Sequence, residues 1–239
     1  MRAVFSLCLL GMAIATAASC GRSDSEKSGS DAPINTSPTP TPTPTPVSST
    51  TFQGTIAGRN GQTGTVNVSV QATVSITSLR PSAVQQATGT VRPAGKSTVS
   101  LSGTFDDASG AVALSGGGYT FSGTVGSGGV LAGTYTGPES ASGGFSTLNS
   151  TTTPVTVYCG IAEESDGPIV FTLQISANGA VSGTVFEESS CGLTGQITGT
   201  SLSITDCYGR HVTATTQGGA VSGKTPSGNS FSGTTSACQ

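Results

Sequence analysis

From Phe52 onward, apolar and polar residues alternate along the chain with a period of two. The stretch "TVNVSVQATVSI" sets Val66, Val68, Val70, Val74 and Ile76 on one side and Asn67, Ser69, Gln71 and Ser75 on the other. "PIVFTLQIS" does the same with Ile169, Phe171, Leu173 and Ile175, and "STVSLSGTF" with Val99, Leu101 and Phe105. Neighbouring strand residues point to opposite faces, so the pattern predicts half-buried antiparallel strands with one wet face. Turn clusters such as "GRNGQTG", "DDASG", "GSGG", "SANG" and "PSGN" separate these runs. No segment carries a sustained helical period. Short strands with turns about every ten residues predict an all-β antiparallel meander, closed as a barrel or folded as a sandwich.

The head reads as two tandem modules. Both halves open on a strand, a Gly-containing loop and a long alternating strand, "FQGTIAGRNGQTGTVNVSV" and "VYCGIAEESDGPIVFTLQI". Both close on short Ser-Gly hairpins, and the division falls near "NSTTTP", Asn149 to Pro154. Module one is therefore expected over 51–149 and module two over 150–239, with a single larger sheet as the competing architecture. The dipeptide Gly-Thr recurs nine times after residue 50, with Gly103 in phase with Leu101 and Phe105, and Gly123 in phase with Tyr119, Phe121 and Val125. An inward glycine leaves room for an aromatic ring from a neighbouring strand and lets the strand coil, whereas a phosphate-cradling loop would need a following helix.

The polar residues are mostly Ser and Thr. Charged residues make up 9%, the formal charge is −3 and there is no Trp. No Lys/Arg cluster exists, which argues against nucleic acid and against polybasic contact with a membrane surface.

Upstream of the head the pattern changes twice. "MRAVFSLCLLGMAIATAASC" has one early positive charge, an apolar run too short to span a bilayer comfortably, and small residues before Cys20. Residues 1–19 are thus expected to be a signal peptide. Residues 20–50 are a Ser/Thr/Pro-rich linker in which Pro38, Pro40, Pro42, Pro44 and Pro46 alternate with Thr. Proline fixes φ and excludes helix from its neighbour, so this piece is a disordered but stiff spacer, reaching roughly 30 Å over ten residues.

Two processing routes fit the end of the signal peptide. Ala15-Thr16-Ala17 would serve ordinary cleavage, while Ala17-Ala18-Ser19-Cys20 resembles the lipobox of bacterial lipoprotein precursors. That resemblance implies a lipid on Cys20 (palmitate among its acyl chains), attachment to the membrane through it, and an outer-membrane or cell-surface location. Cysteine arithmetic agrees: Cys8 leaves with the signal peptide, and Cys159, Cys191, Cys207 and Cys238 form an even set, leaving Cys20 odd. Disulfides Cys191–Cys207 and Cys159–Cys238 are the expected pairing, one of three that four cysteines allow. Cys191 and Cys207 flank a hairpin turning near Gly199, but the register of Ile197 opposite Leu202 leaves Cys207 one residue off and calls for a bulge. The second pair would tie the first strand of its module to the last, as closure of a barrel would. Zinc is the rival for these thiols, without a C-x-x-C spacing to support it.

Chemistry is scarce. His211 is the only histidine, without a G-x-S-x-G elbow to serve. Asp106-Asp107, Glu163-Glu164 with Asp166, and Glu187-Glu188 sit at predicted hairpin tips, as weak calcium candidates or as an acid and base for glycoside hydrolysis. No catalytic residue and no cofactor is expected. The Gly-Thr meander with "GTYTGPESASGGF" loosely resembles the β-barrel heads of envelope lipoproteins of the transferrin-binding protein B group, which implies a barrel-like head and no particular binding residue. The leading expectation is a noncatalytic envelope protein with a structural or adhesive head. The alternative is a lipocalin-like carrier of an apolar small molecule, and an open interior rather than a filled one separates the two.

Overall fold

The computed structural model describes residues 48–71, 84–126, 128–164 and 167–239. Two antiparallel eight-stranded barrels follow one another along the chain. The first contains β1 (Ser49–Gly58), β2 (Gln62–Gln71), β3 (Val84–Pro93), β4 (Val99–Asp106), β5 (Ala111–Gly116), β6 (Tyr119–Val125), β7 (Val130–Thr136) and β8 (Ser142–Asn149), and β8 pairs back with β1. The second contains β9 (Val155–Glu164), β10 (Gly167–Ser176), β11 (Ala180–Phe186), β12 (Ser190–Thr198), β13 (Ser201–Asp206), β14 (His211–Gln217), β15 (Ala220–Lys224) and β16 (Ser230–Thr234), with β16 paired to β9. The meander is a pair of closed barrels, and the single large sheet does not form. Val74, Ile76, Asp166 and everything before residue 48, including Cys20, lie outside the described residues.

The alternation works as the sequence implies. Val66, Val68 and Val70 of β2 are buried in the first barrel, and Leu202 and Ile204 of β13 in the second. Ser100, Ser102 and Thr104 of β4 and Ser201 and Ser203 of β13 face outward and are exposed. Apolar inside and hydroxylic outside is the reverse of a barrel built to span a bilayer.

Glycine opens the interior at chosen points. Gly133 of β7 pairs with both Gly123 and Phe145, and a Cβ on Gly123 would meet Phe145 Cζ at 2.7 Å. The second barrel repeats the device, since Phe171 pairs with Gly160, Gly160 pairs with Gly233, and Cβ atoms there would come within 2.7 and 2.9 Å of the Phe171 ring. Each ring lies across two bare positions on adjacent strands.

Four strands depart from the one-wet-face expectation. The outward faces of β1 and β8 pack on those of β10 and β11, burying Thr55, Ser146, Thr172, Gln174, Ser182 and Thr184. Gln174 Nε2 donates to Thr55 Oγ1, and the Ser146 and Ser182 hydroxyls share a hydrogen bond across the seam. Ala57, Val170 and Phe186 form a small apolar cluster beside it. Ser and Thr, which read as surface residues in sequence, are here the contact between barrels.

Both expected disulfides form, Cys159–Cys238 and Cys191–Cys207, with Cα atoms 5.1 and 5.5 Å apart. The bulge expected at Cys207 is absent. The β12–β13 ladder runs without interruption from Thr198↔Ser201 to Leu193↔Asp206 and stops there. Cys207 lies in the following turn, freed from the ladder register, and reaches Cys191 from there. Nor does Cys159–Cys238 perform the barrel closure, which β16 and β9 make with backbone hydrogen bonds. Cys238 lies beyond β16 in a helical turn, Ser236–Cys238, and the bond fixes this tail. From there Ala237 O accepts the Thr63 hydroxyl at 3.3 Å and Gln239 O accepts the Gly95 N–H at 3.0 Å, both from the first barrel.

Candidate functional site

The two interiors are filled differently. In the first barrel Phe121 stacks on Tyr135 with centroids 5.5 Å apart and meets Phe145 edge-on at 5.3 Å, with Tyr119 at 6.4 Å. The Tyr135 hydroxyl donates to Gln62 Oε1 at 2.8 Å, and burial pushes its phenol pKa well above the ordinary value. These rings occupy the space that an eight-stranded barrel encloses.

The second barrel is open at one end. The end of β9, the start of β10 and the β11–β12, β13–β14 and β15–β16 connections lie there, around a recess of ≈ 570 Å³. Its walls are Ile169, Val185, Leu193, Ile204 and Val212, and Phe171, Leu173 and Phe231 line its interior, with the two phenyl rings edge to face at 5.1 Å. Inward phase on each strand brings these side chains together: Ile169, Phe171 and Leu173 along β10, and Leu202, Ile204 and Asp206 along β13. Where that phase reaches the strand ends it turns polar, so the rim is Glu164, Glu187, Glu188, Asp206, Tyr208 and Arg210. The Cys191–Cys207 disulfide joins the start of β12 to the β13–β14 turn, and Cys191 itself faces the recess.

Two rim carboxylates brace turns. Glu164 Oε2 accepts the Ser227 hydroxyl at 2.6 Å and the Asn229 amide at 3.0 Å, tying the end of β9 to the β15–β16 turn. The Ser227 hydrogen bond leads in holding Glu164 below the usual carboxylate range, against the opposing effect of burial. Burial likewise acts to raise Asp206, but the Arg210 and Tyr208 N–H groups and the Arg210 guanidinium, each donating at 2.7–2.9 Å, outweigh it and lower its pKa. The Arg210 guanidinium also lies 5.1 Å from the centre of the Tyr208 ring. Glu187 and Glu188 are exposed, and their carboxylates have no hydrogen-bond or ion-pair partner among the described residues.

The acidic pairs named from sequence are therefore divided. Glu164, Glu187 and Glu188 converge on the recess; Glu163 is exposed on the neighbouring phase of β9. Asp106 belongs to the first barrel, where its Oδ1 accepts the Ala108 and Ser109 N–H groups at 2.9 and 3.4 Å and so caps the β4–β5 turn, and Asp107 lies in that turn. Among the described residues, no three His, Cys, Asp or Glu side chains stand together in a group able to hold a metal ion. His211 is exposed, with Nδ1 3.2 Å from the Thr205 hydroxyl.

Acids and a tyrosine share a cleft here, as a glycoside hydrolase would require, yet the electrostatics run the wrong way. Such a reaction wants one carboxyl raised so that it can donate a proton near neutral pH, and the two perturbed carboxyls at this rim are both lowered. Tyr119 and Tyr135 are interior residues of the other barrel, and Tyr158 is a buried residue of β9.

Sequence reasoning names Tyr208, with Tyr119, Tyr135 and Tyr158, as a tyrosine that an enzyme would bring to the acidic pairs, but it does not single out Asp206 or Arg210. Their signal was the string "DCYGRH", in which an Asx-type turn follows the cysteine hairpin. No protein-family model matches the chain, and neither a curated protein nor a solved structure does so.

Proposed function

We propose that this is a noncatalytic envelope protein, lipid-anchored through Cys20, whose second barrel is a cup for one small molecule with an apolar body. The ≈ 570 Å³ recess carries this reading. It is concave, lined by aliphatic and phenyl side chains and rimmed by a few polar groups, and its size suits a small ligand. An eight-stranded barrel either fills its interior or holds one such molecule, and the two barrels here take the two options. The recess favours a carrier over a purely structural or adhesive head. Two disulfides support an oxidising compartment outside the cytoplasm, and among the described residues no helix is long and apolar enough to cross a membrane. Attachment is then left to the lipid, which the Pro/Thr spacer separates from the head.

The neutral fluorophore N-phenyl-1-naphthylamine tests the cup. Its emission should rise saturably on adding the protein, and Val185→Trp, which places an indole in the recess wall, should abolish the rise while leaving the disulfides and circular dichroism intact. No rise with the wild type would remove the carrier reading. Separately, Cys20→Ser should move the protein from membrane to soluble fractions.

A further inference from the structure

We infer that the cup selects a cationic amphiphile, a molecule with an aliphatic or aromatic body and a protonated amine at one end. The inference rests on the second barrel being a binding cup and adds the identity of the head group. Among the described residues that line the recess, Glu164, Glu187, Glu188 and Asp206 are acidic and Arg210 alone is basic. Arg210 is already engaged: its Nε donates to Asp206 Oδ2 at 2.7 Å, so this pair carries no net charge into the mouth. The three glutamates remain. Glu164 faces the recess with its charge oriented by Ser227 and Asn229, whereas Glu187 and Glu188 stand exposed across the rim, their carboxylates without partners among the described residues. Arg59 of the first barrel borders a separate cleft of ≈ 230 Å³ that Glu187 also lines, but no ion pair joins the two.

The result is a low-dielectric apolar well under a rim of one sign. Such clefts focus the field and raise the local concentration of the opposite charge. An amine head would lie among the three glutamates while its tail rests on Phe171, Leu193 and Phe231. A carboxylate head on the same tail would meet uncompensated negative charge, because Arg210, the one cation among the described residues lining the recess, is held by Asp206. A hydroxyl head would gain and lose nothing by charge.

Decylamine, decanol and decanoate share one tail and differ in head charge, so displacement of N-phenyl-1-naphthylamine by each, below its aggregation concentration, separates cup from rim. Decylamine should displace the dye at concentrations roughly tenfold lower than decanoate in dilute buffer, with decanol between them. That gap should shrink in about 0.5 M salt and in Glu187→Gln/Glu188→Gln, two exposed positions whose substitution leaves the barrel intact. Equal displacement by all three, or a gap unchanged by both salt and the double substitution, overturns the cationic preference while the cup stands. Failure of every probe to bind overturns the cup and this inference together.

Discussion

Gly123 and Gly133 lie side by side beneath the ring of Phe145, and nothing larger fits there. A methyl on Gly123 would sit 2.5 Å from Ala132 O and 2.7 Å from Phe145 Cζ, and the backbone oxygen cannot retreat without disturbing the ladder. Gly123→Ala should therefore destabilise the first barrel by about 2 kcal/mol in urea denaturation, the usual range for overpacking. Gly192 is the control: it lies in β12 with open space where its Cβ would be, so Gly192→Ala should be neutral or stabilising by about 0.5 kcal/mol. The role of the in-phase glycines was readable because period two assigns each position a face. Their particular ring was not, since Phe145 is brought to Gly123 by the order and stagger of three strands, a long-range property that no local pattern encodes.

Turns show the same division between local and distant information. Asp206 ends β13 with its side chain 6% exposed and accepts three hydrogen bonds from the four residues that follow. Asp206→Asn should weaken the protein by about 2 kcal/mol at neutral pH, the range for hydrogen bonds to a charged group. The folded-state pKa of Asp206 is lowered, so its contribution is complete above the unfolded value of about 4 and fades as pH falls through the folded one. Denaturation curves of wild type and variant, well separated at pH 7, should accordingly converge in acid; a separation that persists at about pH 2 would show that the carboxylate charge is not the source. The hairpin around Gly199 and both cysteine pairs were legible because register and parity are local. The bulge was a wrong deduction from the same arithmetic: it assumed that Cys207 stayed in the ladder, when the turn held by Asp206 had already released it. Two-sided burial of β1, β8, β10 and β11 was illegible because its contact residues are Thr, Ser and Gln, which are as suited to water as to a hydrogen-bonded seam.

At the scale of the molecule, the chain's last residues reach back to the first barrel. The Cys159–Cys238 bond, between two fully buried sulfur-bearing residues, holds a tail whose carbonyls accept Thr63 and Gly95. Replacing the pair, Cys159→Ala with Cys238→Ser, should lower stability by roughly 4 kcal/mol on the chain-entropy estimate for a loop of this length. It should also speed hydrogen exchange at the Gly95 amide, which belongs to the other barrel; unchanged exchange there would mean that the tail stays in place without its bond. Fold class and the likeness of the two halves were visible in the sequence, but the open second barrel was not. Walls and rim come from seven strands of a closed sheet and from the turns between them, and closure joins β9 to a strand some seventy residues later. The course of β1 has a further consequence. It begins at Ser49, and only at its far end, Gly58–Gly61, does it arrive beside Gly167–Val170, where the second barrel opens. A lipid on Cys20, as proposed, would therefore pull on the head at the end of β1 away from that opening, and the mouth of the recess would stay clear of the point of attachment.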